Sequence, residues 1–185
     1  MTTTSVLFIQ GGGEGAHDVD AALAQSLQQA LGRGYDVRFP LMPDEADPNV
    51  ESWKAKIAAE LSRMRGSVAL VAHSIGGSIL LRYLAEEKVG RTVAGLFLLA
   101  VPSWDGDRWN FDDLKLPRDT AARLSSIPRI VLYHGRDDEV VPFAHLALHA
   151  ARLPGAIVRA MDGRGHQFGN DLREVAADIR ALNAA

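Results

Sequence analysis

The run "VALVAHSIGGSILLRYL", Val68–Leu84, changes character at its middle. Through His73 it is a short apolar stretch, as in a strand buried on both faces. From Gly76 it reads as a helix, expected over 76–88. A serine at such a junction is either a nucleophile on a sharp turn or the cap of the helix. The turn pattern G-x-S-x-G is met by Ser74 and Gly76, whereas Ala72 stands at the first glycine position. Positions two before and two after the serine must be small because strand and helix pass close together. Ala72 adds one methyl there, a mild departure.

Similar apolar runs recur along the chain. "SVLFIQ" (5–10), "YDVRFP" (35–40), "SVALVAH" (67–73), "VAGLFLLAV" (93–101), "RIVLYHG" (129–135) and "AIVRAMDG" (156–163) read as strands. Amphipathic segments lie between them. "DVDAALAQSLQQAL" and "NVESWKAKIAAELSRM" repeat apolar residues at helical spacing, with Asn49 the expected N-cap of the second. Further helices are expected at 143–152 and 171–182. Alternating strands and helices predict an α/β fold with a mainly parallel sheet of about six strands. The 185 residues suit one domain, 1–185. The connection "PSWDGDRWNFDDLKLPRDTAARLSSIP" differs from the others, being aromatic and irregular before Arg118. Long irregular connections in compact domains are often functional.

Composition excludes several classes. A net charge of -3 offers no general attraction for phosphate backbones, so a nucleic-acid partner is not expected. The absence of cysteine removes disulfides, thiolate metal sites and a cysteine nucleophile. No basic segment precedes the first apolar run, and no run approaches the roughly 20 residues of a membrane span. The expectation is a cytoplasmic protein that does not bind membranes.

Ligands of open α/β sheets bind beyond the carboxyl ends of the strands. On that rim lie "QGGGEG" after the first strand, Ser74 after the third, "GRDDEVVP" after the fifth and "GRGHQFG" after the sixth. Ser, Asp and His in that chain order suit nucleophilic catalysis on an α/β-hydrolase scaffold. The serine hydroxyl needs a base to take its proton, and histidine has the right basicity. A buried carboxylate fixes the tautomer of that histidine. The developing oxyanion needs backbone N–H donors, here Ile75 and one from the loop after the first strand. His166 is the expected base, with Gly163 and Gly165 bending its loop toward the serine. His73 and His134 read as packed strand-end residues, and His17 as a helix-start residue.

"VAHSIGG", "HGRDDEVVPF" and "GRGHQFG" resemble the motifs of the α/β-hydrolase superfamily. The short chain and "LMPDEADPNVESWKAKI" make it similar to the small capless serine hydrolases that include the retinoblastoma-binding hydrolase and its bacterial relatives. The resemblance covers nearly the whole chain and implies a three-layer fold without a large cap domain. The superfamily pattern G-x-x-D-x-x-V-P maps onto Gly135, Asp138, Val141 and Pro142, which selects Asp138 over Asp137 as the acid. The resemblance aligns Gln10-Gly11 with the family's common His-Gly pair, so glutamine here is a departure. The loop's oxyanion donor would then be Gly12, with Gly13 the alternative. The implied activity is hydrolysis of small carboxylic esters, or another acyl substrate, through an acyl-enzyme, with no metal or organic cofactor. Trp104, Trp109, Phe111, Phe143 and Phe168 are the candidate substrate walls.

Three other readings compete. "GGGEGA" fits a miniature dinucleotide fingerprint, but no acidic residue ends the second strand to hold a ribose. His145 and His149 have the spacing of a zinc pair, but no third ligand is evident and an exposed helix face is expected. A non-catalytic module that binds a protein partner on a hydrolase scaffold would differ from an enzyme in the reactivity of Ser74.

Overall fold

The computed structural model describes residues 4–105, 109 and 111–183. Six parallel strands form one sheet: β1 (Thr4–Ile9), β2 (Tyr35–Arg38), β3 (Val68–His73), β4 (Val93–Leu99), β5 (Ile130–Gly135) and β6 (Ile157–Met161), in the order β2-β1-β3-β4-β5-β6. The connecting helices are α1 (Ala16–Leu31), α2 (Val50–Arg63), α3 (Ser74–Glu86), α4 (Thr120–Arg123), α5 (Ala144–Arg152) and α6 (Arg173–Arg180).

Alternation along the strands divides the core between the two faces of the sheet. Leu7, Ile9, Leu70, Ala72, Leu96 and Leu98 point toward α2, α3 and α5 and meet Trp53, Ile57, Leu80 and Leu146. Val6, Phe8, Ala69, Val71, Phe97 and Leu99 point toward α1 and α6 and meet Leu23, Leu27, Val175 and Ile179. All of β3 is buried, which explains its unbroken apolar run. This is the three-layer α/β-hydrolase architecture, and no cap domain is evident among the described residues.

Asn49 caps α2 by accepting a hydrogen bond from the Ser52 amide at 3.0 Å. Several boundaries differ from the sequence reading by one or two residues, and three of them have evident local reasons. Helix α3 begins at Ser74, two residues early. Strand β4 stops at Leu99 because Ala100 takes a positive φ of 49°. Strand β6 stops at Met161, before Gly163 turns with φ 64°.

The order of strands reverses between β1 and β3, the switch point beyond whose carboxyl ends open α/β sheets bind ligands. The irregular connection between β4 and β5 contains a 3-10 turn at Asp112–Leu114 and the short α4. Residues 106–108 and 110 of that connection, and residues 1–3 at the N-terminus, lie outside the described set. Among the described residues no helix is long and apolar enough to cross a membrane.

Candidate active site

Ser74 follows β3 directly and has φ 52°, a left-handed conformation that costs a non-glycine residue energy. Tight packing of α3 around it enforces the turn. A β-carbon on Gly76 would lie 2.0 Å from the Gln10 carbonyl oxygen, and one on Gly77 would lie 2.3 Å from Val101 Cγ2. The first of these is a backbone contact that cannot yield, so Gly76 has to be glycine. Ala72 faces the α3-side core and is fully buried, so its methyl is accommodated by packing.

Asp138 has a fully buried side chain. Its Oδ1 accepts from the amides of Val140 at 2.9 Å and Val141 at 2.8 Å. Its Oδ2 lies 2.9 Å from His166 Nδ1 and 3.1 Å from His134 Nε2. Burial pushes this carboxyl up, but the hydrogen bonds from His134, His166, Val141 and Val140 outweigh it and hold the pKa far below the usual carboxylate range. Asp138 is therefore ionised at neutral pH, and His166 Nδ1–H donates to it. That tautomer leaves a lone pair on His166 Nε2.

Each acid in the run Asp137-Asp138-Glu139 holds a part of the His166 loop. Asp137, at the surface, accepts from the amides of Arg164 at 3.0 Å and Gly165 at 3.2 Å. Glu139 Oε2 accepts from the His166 amide at 3.2 Å. Asp138 alone meets the imidazole. Among the described residues no hydrogen bond closes between Ser74 and His166. The two are joined through His73, the residue before Ser74, whose Nε2–H donates to the His166 carbonyl at 3.1 Å.

The loop after β1 folds over the start of α3. A β-carbon on Gly12 would lie 2.7 Å from Ile75 Cγ2. The Gly13 amide is engaged by the Glu45 carbonyl at 2.6 Å, and the Gly11 amide by Asp20 Oδ2 at 2.7 Å. The Gly12 amide has no acceptor among the described residues. Gln10 is fully buried and bridges Glu45 Oε2 at 2.6 Å and the Met42 amide at 3.1 Å. Glutamine at this position thus ties the loop after β1 to the loop after β2.

Glu45 also answers the dinucleotide reading. Its carboxylate accepts from the Gly15 amide at 3.0 Å and the His17 amide at 2.8 Å. The anion position at the start of α1, where a pyrophosphate would bind, is filled by the protein's own side chain. His17 sits in the first turn of α1, stacked on Phe39.

The aromatic residues divide into two groups. Trp104 is buried, donates from Nε1 to Ser78 Oγ at 2.8 Å and packs on Trp109 and Phe111. Phe111 is 61% exposed, and Trp109 is partly exposed and lies against His145. Phe143 is partly exposed beneath the Arg136 guanidinium. Phe168 corrects the sequence expectation: it is fully buried in the core between α1 and α6, with no face left for a substrate.

His145 and His149 are a second correction, since both are buried and not on an exposed face. His145 Nδ1 accepts from the Ser103 amide at 2.9 Å, and His149 Nε2–H donates to the Pro102 carbonyl at 3.2 Å. They anchor the start of the connection after β4. Burial lowers the His149 pKa to about 4.

A family model described as serine hydrolase matches residues 24–170. The chain belongs to the serine hydrolase family. The hydrolase is 22% identical over 148 residues to the putative hydrolase YdeN of Bacillus subtilis (strain 168), covering 75% of this chain and 74% of that protein. The crystal structure of the ydeN gene product from B. subtilis matches it with a TM-score of 0.81 at 19% identity, covering 99% of this chain and 100% of the other. The esterase domain of a Rhodothermus marinus protein matches with a TM-score of 0.69 at 17% identity, covering 98% and 86%. At these identities the structural likeness speaks to the fold.

Sequence reasoning missed one buried group, Asp20, which is 1% exposed and pairs with His73 Nδ1 at 2.9 Å. A signal was present. Asp20 occupies the apolar stripe of α1 together with Leu23, Ala24, Leu27 and Leu31. A carboxylate on such a stripe requires a buried partner.

Proposed function

We propose that this hydrolase cleaves small carboxylic esters through an acyl-enzyme, with Ser74 as nucleophile, His166 as base and Asp138 as the orienting acid. The observation that carries the reading is the bond from His166 Nδ1 to the ionised, fully buried Asp138, which leaves Nε2 as an acceptor. Ser74 Oγ attacks the ester carbonyl carbon as His166 Nε2 takes its proton. The new imidazolium is stabilised by Asp138, which remains ionised. The imidazolium then protonates the leaving alcohol. Water attacks the acyl-enzyme with His166 again accepting a proton, and Ser74 is regenerated. Contacts of this kind are often long without substrate and tighten in the complex.

The amides of Ile75 and Gly12 receive the oxyanion. Gly12 is preferred to Gly13 because the Gly13 amide is already bonded to Glu45. Ile75 lies in the first turn of α3, where the N-terminal field favours negative charge. The exposed Phe111 and the partly exposed Trp109 and Phe143 supply an apolar border suited to a short acyl or alcohol group. A chain without cysteine fits a reducing compartment such as the cytoplasm.

Rapid mixing with p-nitrophenyl acetate tests the route. An acyl-enzyme gives a burst of nitrophenolate equal to the enzyme present. Turnover that survives unchanged in Ser74→Ala would overturn the reading.

A further inference from the structure

We propose that Asp20 and His73 form a buried ion pair that acts as a positioning hub, holding the His166 loop, the turn at Ser74 and the Gly11–Gly12 peptide in one reactive arrangement. The inference rests on the assignment of Ser74, His166 and Asp138 above. It concerns two residues that have no direct part in that chemistry.

The side chains of His73 and Asp20 are each only 2% exposed. His73 Nδ1 lies 2.9 Å from Asp20 Oδ2, and Nε2 lies 3.1 Å from the His166 carbonyl oxygen. A carbonyl oxygen only accepts. The Asp20 carboxyl also receives the Gly11 amide at 2.7 Å and Gln167 Nε2 at 3.2 Å. With two further donors converging on it, the carboxyl is favoured in its ionised, accepting form. Burial pushes Asp20 up, but the bond to His73, its charge and the remaining donors leave the carboxyl below its ordinary value. A neutral imidazole has one donor nitrogen and one acceptor nitrogen, yet both nitrogens here face acceptors. The arrangement is satisfied when His73 carries a proton on each nitrogen and Asp20 none.

The pair reaches the loop after β1, the turn at Ser74 and the His166 loop. Asp20 holds the Gly11 amide, which orients the adjoining peptide toward Gly12, and binds Gln167 beside His166. His73 holds the His166 backbone, while Asp138 holds the imidazole of the same residue. The rings of His73 and His166 are 4.6 Å apart between centroids. The other charged or titratable groups nearby are Asp138 and Glu139, which contact His166, and His134, which contacts Asp138. A β-carbon on Gly11 would lie 3.3 Å from both His73 Nδ1 and Ser74 Cβ, so this crossing leaves little slack.

The test compares His73→Asn and His73→Gln with wild type and Ser74→Ala, using p-nitrophenyl acetate turnover. Both His73 substitutions remove the ring charge. The shorter amide of asparagine can still reach Asp20 but not the His166 carbonyl, whereas glutamine can reach that carbonyl. His73→Asn should lose kcat on the order of 10²-fold with KM nearly unchanged, as for a displaced catalytic group. His73→Gln should recover much of that loss. Equal losses in the two variants, or wild-type kcat in His73→Asn, would overturn the positioning role while leaving the Ser74 assignment intact. Full activity in Ser74→Ala would instead remove the underlying reading. Nitrogen-15 NMR of the wild-type His73 ring at neutral pH decides the ion pair without any variant: two protonated ring nitrogens support it, and one refutes it.

Discussion

Gly135 and Gly165 approach so closely that a β-carbon on Gly135 would lie 2.6 Å from the Gly165 carbonyl oxygen. The end of β5 and the loop after β6 therefore touch backbone to backbone, one residue before His166 and three before Asp138. Gly135→Ala places a methyl group against a carbonyl that cannot move aside. We expect a stability loss of about 1–3 kcal/mol, the usual range for overpacking. A fall in kcat should accompany it as the His166 loop lifts from Asp138. Urea unfolding and steady-state kinetics on the same sample check both, and wild-type values in both would contradict the contact.

The neighbouring aspartates should behave differently when each is changed to asparagine. Asp138→Asn loses the acceptor for His166 Nδ1–H and disturbs the tautomer, so kcat should drop by roughly 10⁴-fold. Asp137→Asn removes a surface acceptor for the Arg164 and Gly165 amides and should cost less than about tenfold, since one acceptor oxygen remains. Kinetics of the two variants side by side give the ranking. The reverse order would transfer the role of acid to Asp137.

Strain at Ser74 carries an expectation about stability. A non-glycine residue in the left-handed region costs on the order of 1–3 kcal/mol. Glycine relieves this but gives back about 0.5–1 kcal/mol of chain entropy. Ser74→Gly should therefore unfold at a higher denaturant concentration than Ser74→Ala, with turnover abolished in both. Equal midpoints would mean that the turn at φ 52° stores no strain.

The pH dependence of stability has a part that belongs to the far side of the site. The His149 pKa is lowered from 6.5 to about 4, chiefly by burial. A histidine depressed in the folded state contributes stability above its unfolded pKa, and the contribution is lost as pH falls toward the folded value. His145 is lowered in the same direction, first by burial and then by the charge of His134. The His149 contribution should be lost between about pH 6.5 and pH 4. His149→Gln, which can keep a donor toward Pro102, should lose less over that interval. Asp20 and Asp138 are depressed carboxylates, so their contributions vanish only at pH values below their ordinary 3.8. The difference in unfolding midpoint between wild type and His149→Gln, compared at pH 7.5 and pH 5, isolates the His149 part.

The sequence revealed the fold where local pattern and tertiary structure agree. The six strands and the helices around them followed from alternating apolar runs and helical spacing, because sheet and helix each bury a face of fixed period. Asn49 was readable as a cap for the same local reason. The boundaries at Ala100 and Gly163 were not, since positive φ there depends on which loops must turn away from the sheet. Phe168, His145 and His149 were misjudged because burial of a loop residue or a short helix face is set by distant segments. Phe168 is covered by α1 and α6, and His145 and His149 are covered by the connection after β4. The partnership of Asp20 with His73 joins residues 53 apart in the chain and has no local signature beyond a charge on an apolar stripe.

The proposed chemistry requires Ser74 to be an activated nucleophile. The most direct measurement is labelling of the folded protein with a fluorophosphonate probe, beside Ser74→Ala under identical conditions. An activated Ser74 gives stoichiometric labelling of wild type on the peptide containing Ser74 and none of the variant. Folded wild-type protein that stays unlabelled, or a variant that labels equally well, would contradict it.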